Sequence, residues 1–124
     1  MASSPADDIA ASILAGAGIT AYVGTEPPEP DTCVTLYDTG GDGELAYRGY
    51  ENPTVQVRVR SFDYAAGYAL AVQIRDMLVT ERRIVTAEYV YSGFWLVSDV
   101  AKIGRDDKNR ELFTFNLRIH RGTA

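Results

Sequence analysis

The sequence predicts an α+β fold, a mostly antiparallel β-sheet with two helices packed on one face. Three observations carry that prediction. Residues 54–60 alternate strictly, with Val55, Val57 and Val59 on one face and Gln56, Arg58 and Arg60 on the other, the pattern of a half-buried strand. Gly67, Leu70, Ala71, Ile74, Met77 and Leu78 recur at helical spacing, and such an amphipathic stripe has to lie on a sheet. The elements run helix, two strands, a long connection, then strand, helix and three strands, within one domain spanning 1–124.

Each element has its own local reasons. In residues 3–18, Ser4 can cap a helix, Pro5 suits the first turn where its missing N–H costs nothing, and Asp7 and Asp8 favour the positive end of the dipole. Ile9, Ile13 and Leu14 form a narrow apolar stripe, and Gly16 or Gly18 ends the helix. Residues 19–23 then read as a strand, 24–31 as a proline-rich turn and 32–38 as a second strand. After strand 54–60, Ser61 or Asp63 caps the main helix of residues 61–80. Residues 87–91 and 94–104 read as strands joined by a Ser92-Gly93 hairpin turn. A charged turn over 104–110 leads to a last strand, 111–121, with Phe113, Phe115, Leu117 and Ile119 inward and Thr114, Asn116, Arg118 and His120 outward.

Composition narrows the function classes. One cysteine, Cys33, excludes an internal disulfide, and its apolar neighbourhood places it in the core. One Cys and one His, His120, do not make a zinc site of the usual kind. No apolar run approaches the roughly 20 residues of a membrane span, and no signal-peptide pattern opens the chain. A soluble protein, made in a reducing cytoplasm and without a membrane partner, is expected. The net charge of −5 argues against a free-standing nucleic-acid binder. Residues 1–53 hold nine acids against Arg48 alone, net −8, whereas residues 54–124 carry net +3. Two surfaces of opposite sign would suit head-to-tail packing of identical copies; alternatively the halves interleave and the charges average out.

The stretch at 38–53, Asp-Thr-Gly-Gly-Asp-Gly-Glu-Leu-Ala-Tyr-Arg-Gly-Tyr-Glu-Asn-Pro, is the unusual one. It lacks the Gly-Lys-Ser/Thr of a P-loop and the glycine spacing of a dinucleotide turn, and it opens into no helix that would receive a phosphate. Asp38, Asp42 and Glu44 lack the alternating acids of an EF-hand. No nucleophile elbow appears, and Asp106 and Asp107 read as a solvated charge cluster. No enzyme, catalytic residue, metal or cofactor is expected. What stands out is surface chemistry. Tyr47 and Tyr50 sit in the loop, Arg58 and Arg60 share one strand face, and Arg118 and His120 project from another. Tyrosines and arginines are the side chains that binding hot spots favour. The loop, about 39–52, therefore reads as a contact arm, mobile when free and ordered on docking.

The segments at 30–41 (Pro-Asp-Thr-Cys-Val-Thr-Leu-Tyr-Asp-Thr-Gly-Gly), 52–78 and 110–121 together resemble the small minor capsid and tail-terminator proteins of long-tailed bacteriophages. The shared pattern is carried by Pro30, Asp31, Tyr37, Asp38, Thr39, Gly40, Gly41, Gln56, Val57, Arg58, Phe113 and Asn116, and the likeness covers roughly 5–121. The resemblance implies a tail-terminator-like fold and a structural virion protein, assembled in the host bacterial cytoplasm. It implies a ring of identical copies, usually a hexamer, at the head-proximal end of the tail tube. Such a ring stops tube polymerisation, meets the head-completion or connector protein, and lets genome DNA pass without sequence-specific binding. On this reading Asp38, Gly40, Gly41, Tyr47, Arg48, Tyr50, Arg58 and Arg60 belong to the subunit or tube interface. Two other roles fit the sequence: a head-completion or neck protein of the same fold, and a small anion-binding bacterial domain.

Overall fold

The computed structural model describes residues 2–42, 50–79 and 84–123, and only the backbone of Asp42. Its described elements are α1 (Pro5–Ala17), β1 (Ala21–Val23), β2 (Cys33–Asp42), β3 (Tyr50–Ser61), α2 (Tyr64–Val79), β4 (Ile84–Val85), β5 (Tyr89–Arg105) and β6 (Glu111–Thr123). They build one six-stranded sheet in the order β1-β2-β3-β6-β5-β4, antiparallel throughout except for the β1–β2 pair. The α+β expectation holds.

Local signals explain why α1 forms where it does. The Ser4 hydroxyl accepts from the Asp7 N–H at 3.1 Å, Pro5 opens the first turn, and Gly18, at φ +68°, closes the last turn in the left-handed region. Ala6, Ile9 and Ile13 face the sheet fully buried. On α2, Gly67, Ala71, Ile74 and Leu78 are buried, with Leu70 and Met77 packed against the same core. Gly67 is where the helix comes closest: a Cβ there would stand 2.7 Å from the Phe113 ring. Both helices cover the sheet face carrying Val34, Leu36, the three β3 valines and the four inward residues of β6, all fully buried. Burying apolar surface of this kind contributes roughly 25 cal/mol per Å², which makes this single layer the main source of stability.

Three features depart from the sequence expectations. First, Ser92-Gly93 is a bulge inside one long β5, not a turn between two strands: Tyr91 pairs with Arg121 and Gly93 with His120. A Ser-Gly pair serves turns and bulges alike, and here the Trp95 ring lies over Gly93, so that a Cβ would meet it at 2.5 Å. The turn is instead at 86–89, before β5, where the Thr86 Oγ1 accepts from the Tyr89 N–H at 2.9 Å and joins the short β4 to β5.

Second, much of the 39–52 stretch is paired strand. Thr39 bulges out of the β2–β3 ladder, after which Gly40 pairs with Thr54, Gly41 with Pro53 and Asp42 with Asn52. Gly40 and Gly41 take φ values of +92° and +93°, conformations that favour glycine, so their role in this hairpin is geometric. At Gly41 a Cβ would stand 2.4 Å from the Asn52 carbonyl oxygen and 2.7 Å from the Thr54 nitrogen, both backbone. Gly41→Ala is therefore expected to cost about 2 kcal/mol, the strain of a non-glycine residue in that region plus the displaced hairpin backbone. Chemical denaturation checks this, and a loss within about 0.5 kcal/mol would remove the geometric account.

The third departure concerns Arg60. Its strand face is the one expected, but the side chain is only 2% exposed, because the proline-rich segment 24–32 covers it.

Candidate assembly surface

The two arginines of β3 divide sharply. Arg60 donates from Nη2 to the Pro30 carbonyl at 2.6 Å and from Nε to the Asp31 carbonyl at 3.2 Å, with Glu26 at 3.8 Å. Arg110, equally buried, holds the same segment from the other side, donating to the Pro28 carbonyl at 2.8 Å and to Asp31 Oδ1 at 3.2 Å. Asp106 in turn fixes Arg110, accepting from its Nε at 2.7 Å and from its backbone N–H at 2.9 Å. Together the two arginines fasten the proline segment across the second sheet face. Arg58 remains partly exposed, 3.9 Å from Glu26 and near the Tyr37 ring. The expectation that both arginines share an exposed face is thus corrected: Arg58 is partly open to solvent, and Arg60 is a packing residue.

At the root of the arm, sequence-predicted residues are brought together with others that were not singled out. Asp38 Oδ1 accepts from the Ala6 N–H at 2.9 Å, so this acid serves the positive end of α1. Tyr50 stacks on His120 with ring centroids 5.0 Å apart, and His120 Nδ1 lies 3.1 Å from Asn52 Oδ1. Between the start of α1 and the arm lies a cleft of about 410 Å³, lined by Ser4, Asp38, Gly41, Glu51 and Arg121 among others. Of the three residues expected to anchor the arm, Tyr47, Arg48 and Tyr50, the first two lie outside the described residues.

Arg121 is the residue that sequence reading missed. It continues the inward alternation of β6 past Ile119, and that period-2 position was the signal for it. Its guanidinium binds Glu51, donates from Nη1 to the Ser3 carbonyl at 2.9 Å and to the Tyr91 oxygen at 3.0 Å, and lies 3.8 Å over the Tyr89 ring. The Tyr91 O–H donates to Asp8, which also accepts from the Ser3 hydroxyl at 2.9 Å. Burial first, then the hydrogen bond to Asp8, pushes the Tyr91 phenol well above its ordinary value, so it stays protonated as the donor in this network. One node thereby ties together the arm root, the N-terminus of α1, β5 and β6.

Glu111 is a second buried acid, at the start of β6. Lys102 Nζ lies 2.8 Å from its carboxylate and Arg105 Nε donates to it at 2.9 Å. The Lys102 contact, opposed by burial and assisted by Arg105, holds the Glu111 carboxyl below its ordinary 4.5. A depressed folded-state pKa stabilises above the unfolded value and is lost as pH falls through the folded one. Glu111→Gln is therefore expected to lower the thermal midpoint at neutral pH, with the gap from the parent closing as the pH drops below 4.5. A gap unchanged into strong acid would rule that coupling out.

Apolar surface is concentrated on β5, where Trp95 is 53% exposed, Val97 60% and Leu96 36%. With Asn52 and Arg118 these three line an open groove of about 560 Å³. Reading β5 as two short strands hid this patch. Among the described residues no three His, Cys, Asp or Glu side chains gather as metal ligands would, and no helix is long and apolar enough to cross a membrane. A protein-family model described as "Bacteriophage tail terminator protein" matches residues 9–122. No match was found among curated proteins.

Proposed function

The chain belongs to the bacteriophage tail terminator family, and we propose that it forms a ring on the head-proximal end of the tail tube. There it halts tube polymerisation and offers its other face to the head-completion or connector protein, while genome DNA passes through the opening. The reading is structural rather than catalytic. The observation that carries it is the family match, which spans every described element after the first turn of α1. The described base of the 39–52 stretch is consistent with a contact element: Glu51 of β3 is tied by Arg121 to the start of α1 and to Tyr91 of β5. The charge imbalance between the halves is largely spent inside the subunit, where Asp8, Glu26, Asp31 and Glu51 meet Arg121, Arg58, Arg60 and Arg110, so it does not itself argue for a ring.

Within this proposal the arm is the contact element. Asp38, Gly40 and Gly41 set its exit from the sheet, Tyr50 supports its base, and Tyr47 and Arg48 are the residues proposed to meet the tube or a neighbouring subunit. Arg58, partly exposed on β3, contributes to a subunit contact. Arg60 no longer belongs in that set; it holds the proline segment that forms the surface beside Arg58.

The test is direct. Purified protein is added to polymerising tail-tube protein from the same phage, and tube length and end occupancy are measured by electron microscopy. Shortened tubes bearing density at one end are expected. Sedimentation should show mass rising with protein concentration, less steeply at high salt, because the reach of rim charges falls to about 8 Å at 0.15 M. Tubes of unaltered length with bare ends would overturn the proposal. Binding to isolated heads but never to tubes would favour the neck role instead.

A further inference from the structure

Buried polar side-chain atoms are nearly always hydrogen-bonded, so those that meet no protein partner mark places where something else completes the bonding. Among the described residues, three of them fall together under the proline-rich segment: Glu26 Oε2, Thr35 Oγ1 and Arg58 Nε. The other such atom, Glu111 Oε2, lies 2.8 Å from Lys102 Nζ and is answered there. Thr35 is fully buried, and Arg58 is its direct partner across the β2–β3 ladder, on the same sheet face. Glu26 stands over that pair from the segment. It lies 3.9 Å from Arg58, and its charge bears on Cys33 and Tyr37, the residues on either side of Thr35 along that strand face. Burial pushes the Cys33 thiol and the Tyr37 phenol above their ordinary values, and the Glu26 carboxylate adds to the rise at both, opposed by Arg60 at the first and Arg58 at the second.

The chemistry of the three atoms narrows what fits among them. Arg58 Nε only donates, a carboxylate oxygen only accepts, and the Thr35 hydroxyl does either. The Glu26 carboxylate turns away an anion, and the guanidinium groups of Arg58 and Arg60 turn away a cation. Both arginines also stand off from Glu26, at 3.9 and 3.8 Å against about 2.8 Å for a direct charge-assisted bond. What is required is small, neutral, and able to donate and accept at once. Water meets all three conditions, and a buried water typically makes about three hydrogen bonds to groups of this kind.

We propose that one ordered water occupies this site, accepting from Arg58 Nε, donating to Glu26 Oε2 and hydrogen-bonded to Thr35 Oγ1. It joins the proline-rich segment to β2 and β3, and it is independent of the ring reading.

Oxygen-17 relaxation dispersion detects water molecules alone and counts those held inside a protein. It is measured on the parent, on Thr35→Val and on Thr35→Ser. Valine matches the shape of threonine without the hydroxyl, whereas serine keeps the hydroxyl. The parent should hold one more long-lived water than Thr35→Val, and Thr35→Ser should keep the parent's count. Thermal midpoints give a second reading of opposite sign for the two cases. At a hydrated site, valine strips the water of a partner and lowers the midpoint; at a dry site, it removes a buried unsatisfied hydroxyl and raises it. An unchanged count in Thr35→Val, or a raised midpoint, overturns the proposal. So does an equal drop in Thr35→Ser, since the loss would not follow the hydroxyl. A high-resolution crystal structure of the parent tests the site without any variant. Density within hydrogen-bond reach of all three atoms supports the water, and three atoms bonded to protein groups or to nothing overturns it.

Discussion

Arg121→Met is expected to lower stability by about 3–5 kcal/mol, the range seen when one partner of a buried ion cluster is removed. In a chain of 124 residues that corresponds to a fall of about 12–20 °C in the thermal midpoint. The size follows from what the guanidinium does. It is 6% exposed, binds Glu51, and donates to the Ser3 carbonyl and the Tyr91 oxygen, with Asp8 at 3.9 Å. Methionine fills much of the same volume, so the loss is chiefly electrostatic. Two carboxylates, Asp8 and Glu51, are left around a protonated Tyr91 with no cation between them. Arg121→Lys keeps the charge but not the planar fork that reaches Glu51, Ser3 and Tyr91 at once, so an intermediate loss is expected.

A compensating variant separates this from mere packing. Adding Glu51→Gln to Arg121→Met removes one uncompensated charge and should recover a measurable part of the stability, an interaction that a double-mutant cycle reads out. Strictly additive losses would mean that Arg121 acts through its hydrocarbon stem and the Tyr89 ring rather than through its charge. A loss under about 1 kcal/mol for Arg121→Met would remove the node from any account of how the arm is held. The consequence extends beyond stability, since Glu51 lies in the arm and Ser3 and Asp8 at the start of α1. Faster amide exchange at residues 50–52 in the variant would show that the same cation positions the arm.

Sequence legibility followed the range over which each feature is determined. α1 was readable because its cap, its Pro5, its first-turn acids and its Gly18 end are all local. β3 and β6 were readable because unbroken alternation coincides with burial on one face. β5 was not, since bulges after Tyr91, Leu96, Ser98 and Lys102 reset the alternation each time. The pattern therefore broke into what looked like two strands. Gly40 and Gly41 were noticed as unusual but read as loop, because composition does not separate a glycine that moves from one that holds φ near +92° in a ladder.

The candidate surface was legible to the same extent. Alternation assigned Arg60 to the correct face, yet it is silent about what covers that face, and the covering segment comes from residues 24–32. Tyr50 and His120 were each singled out, but their stacking depends on the β3–β6 register, which pairs Tyr50 with Gly122. The missing side chain of Gly122 makes room for that ring: a Cβ there would stand 2.5 Å from Tyr50 Cε1.

Arg60→Leu is expected to cost about 3 kcal/mol, while Arg58→Leu, two residues away on the same face, should stay within about 1 kcal/mol. The contrast comes from their partners. Arg60 makes two charge-assisted hydrogen bonds to backbone carbonyls of a segment without regular structure, while Glu26 at 3.8 Å is as loose a partner to it as to Arg58. Removing it leaves Arg110 as the main side chain holding the proline segment, with longer contacts from Lys108 to Glu29 and from Arg58 to Glu26. Arg58 sits 3.9 Å from the same Glu26, too far for a strong bond, and its Nε is buried without a protein partner, so leucine removes a donor that no protein group meets along with a weak attraction. Arg60→Lys should lose nearly as much as Arg60→Leu, because one ammonium does not span the Pro30 and Asp31 carbonyls. Denaturant titration gives the energies, and limited proteolysis gives the mechanism, since cleavage within residues 24–32 should accelerate in Arg60→Leu and not in Arg58→Leu. Equal losses for the two leucine variants, or a proline segment that stays resistant without Arg60, would show that the segment is held by its own packing and not by this arginine.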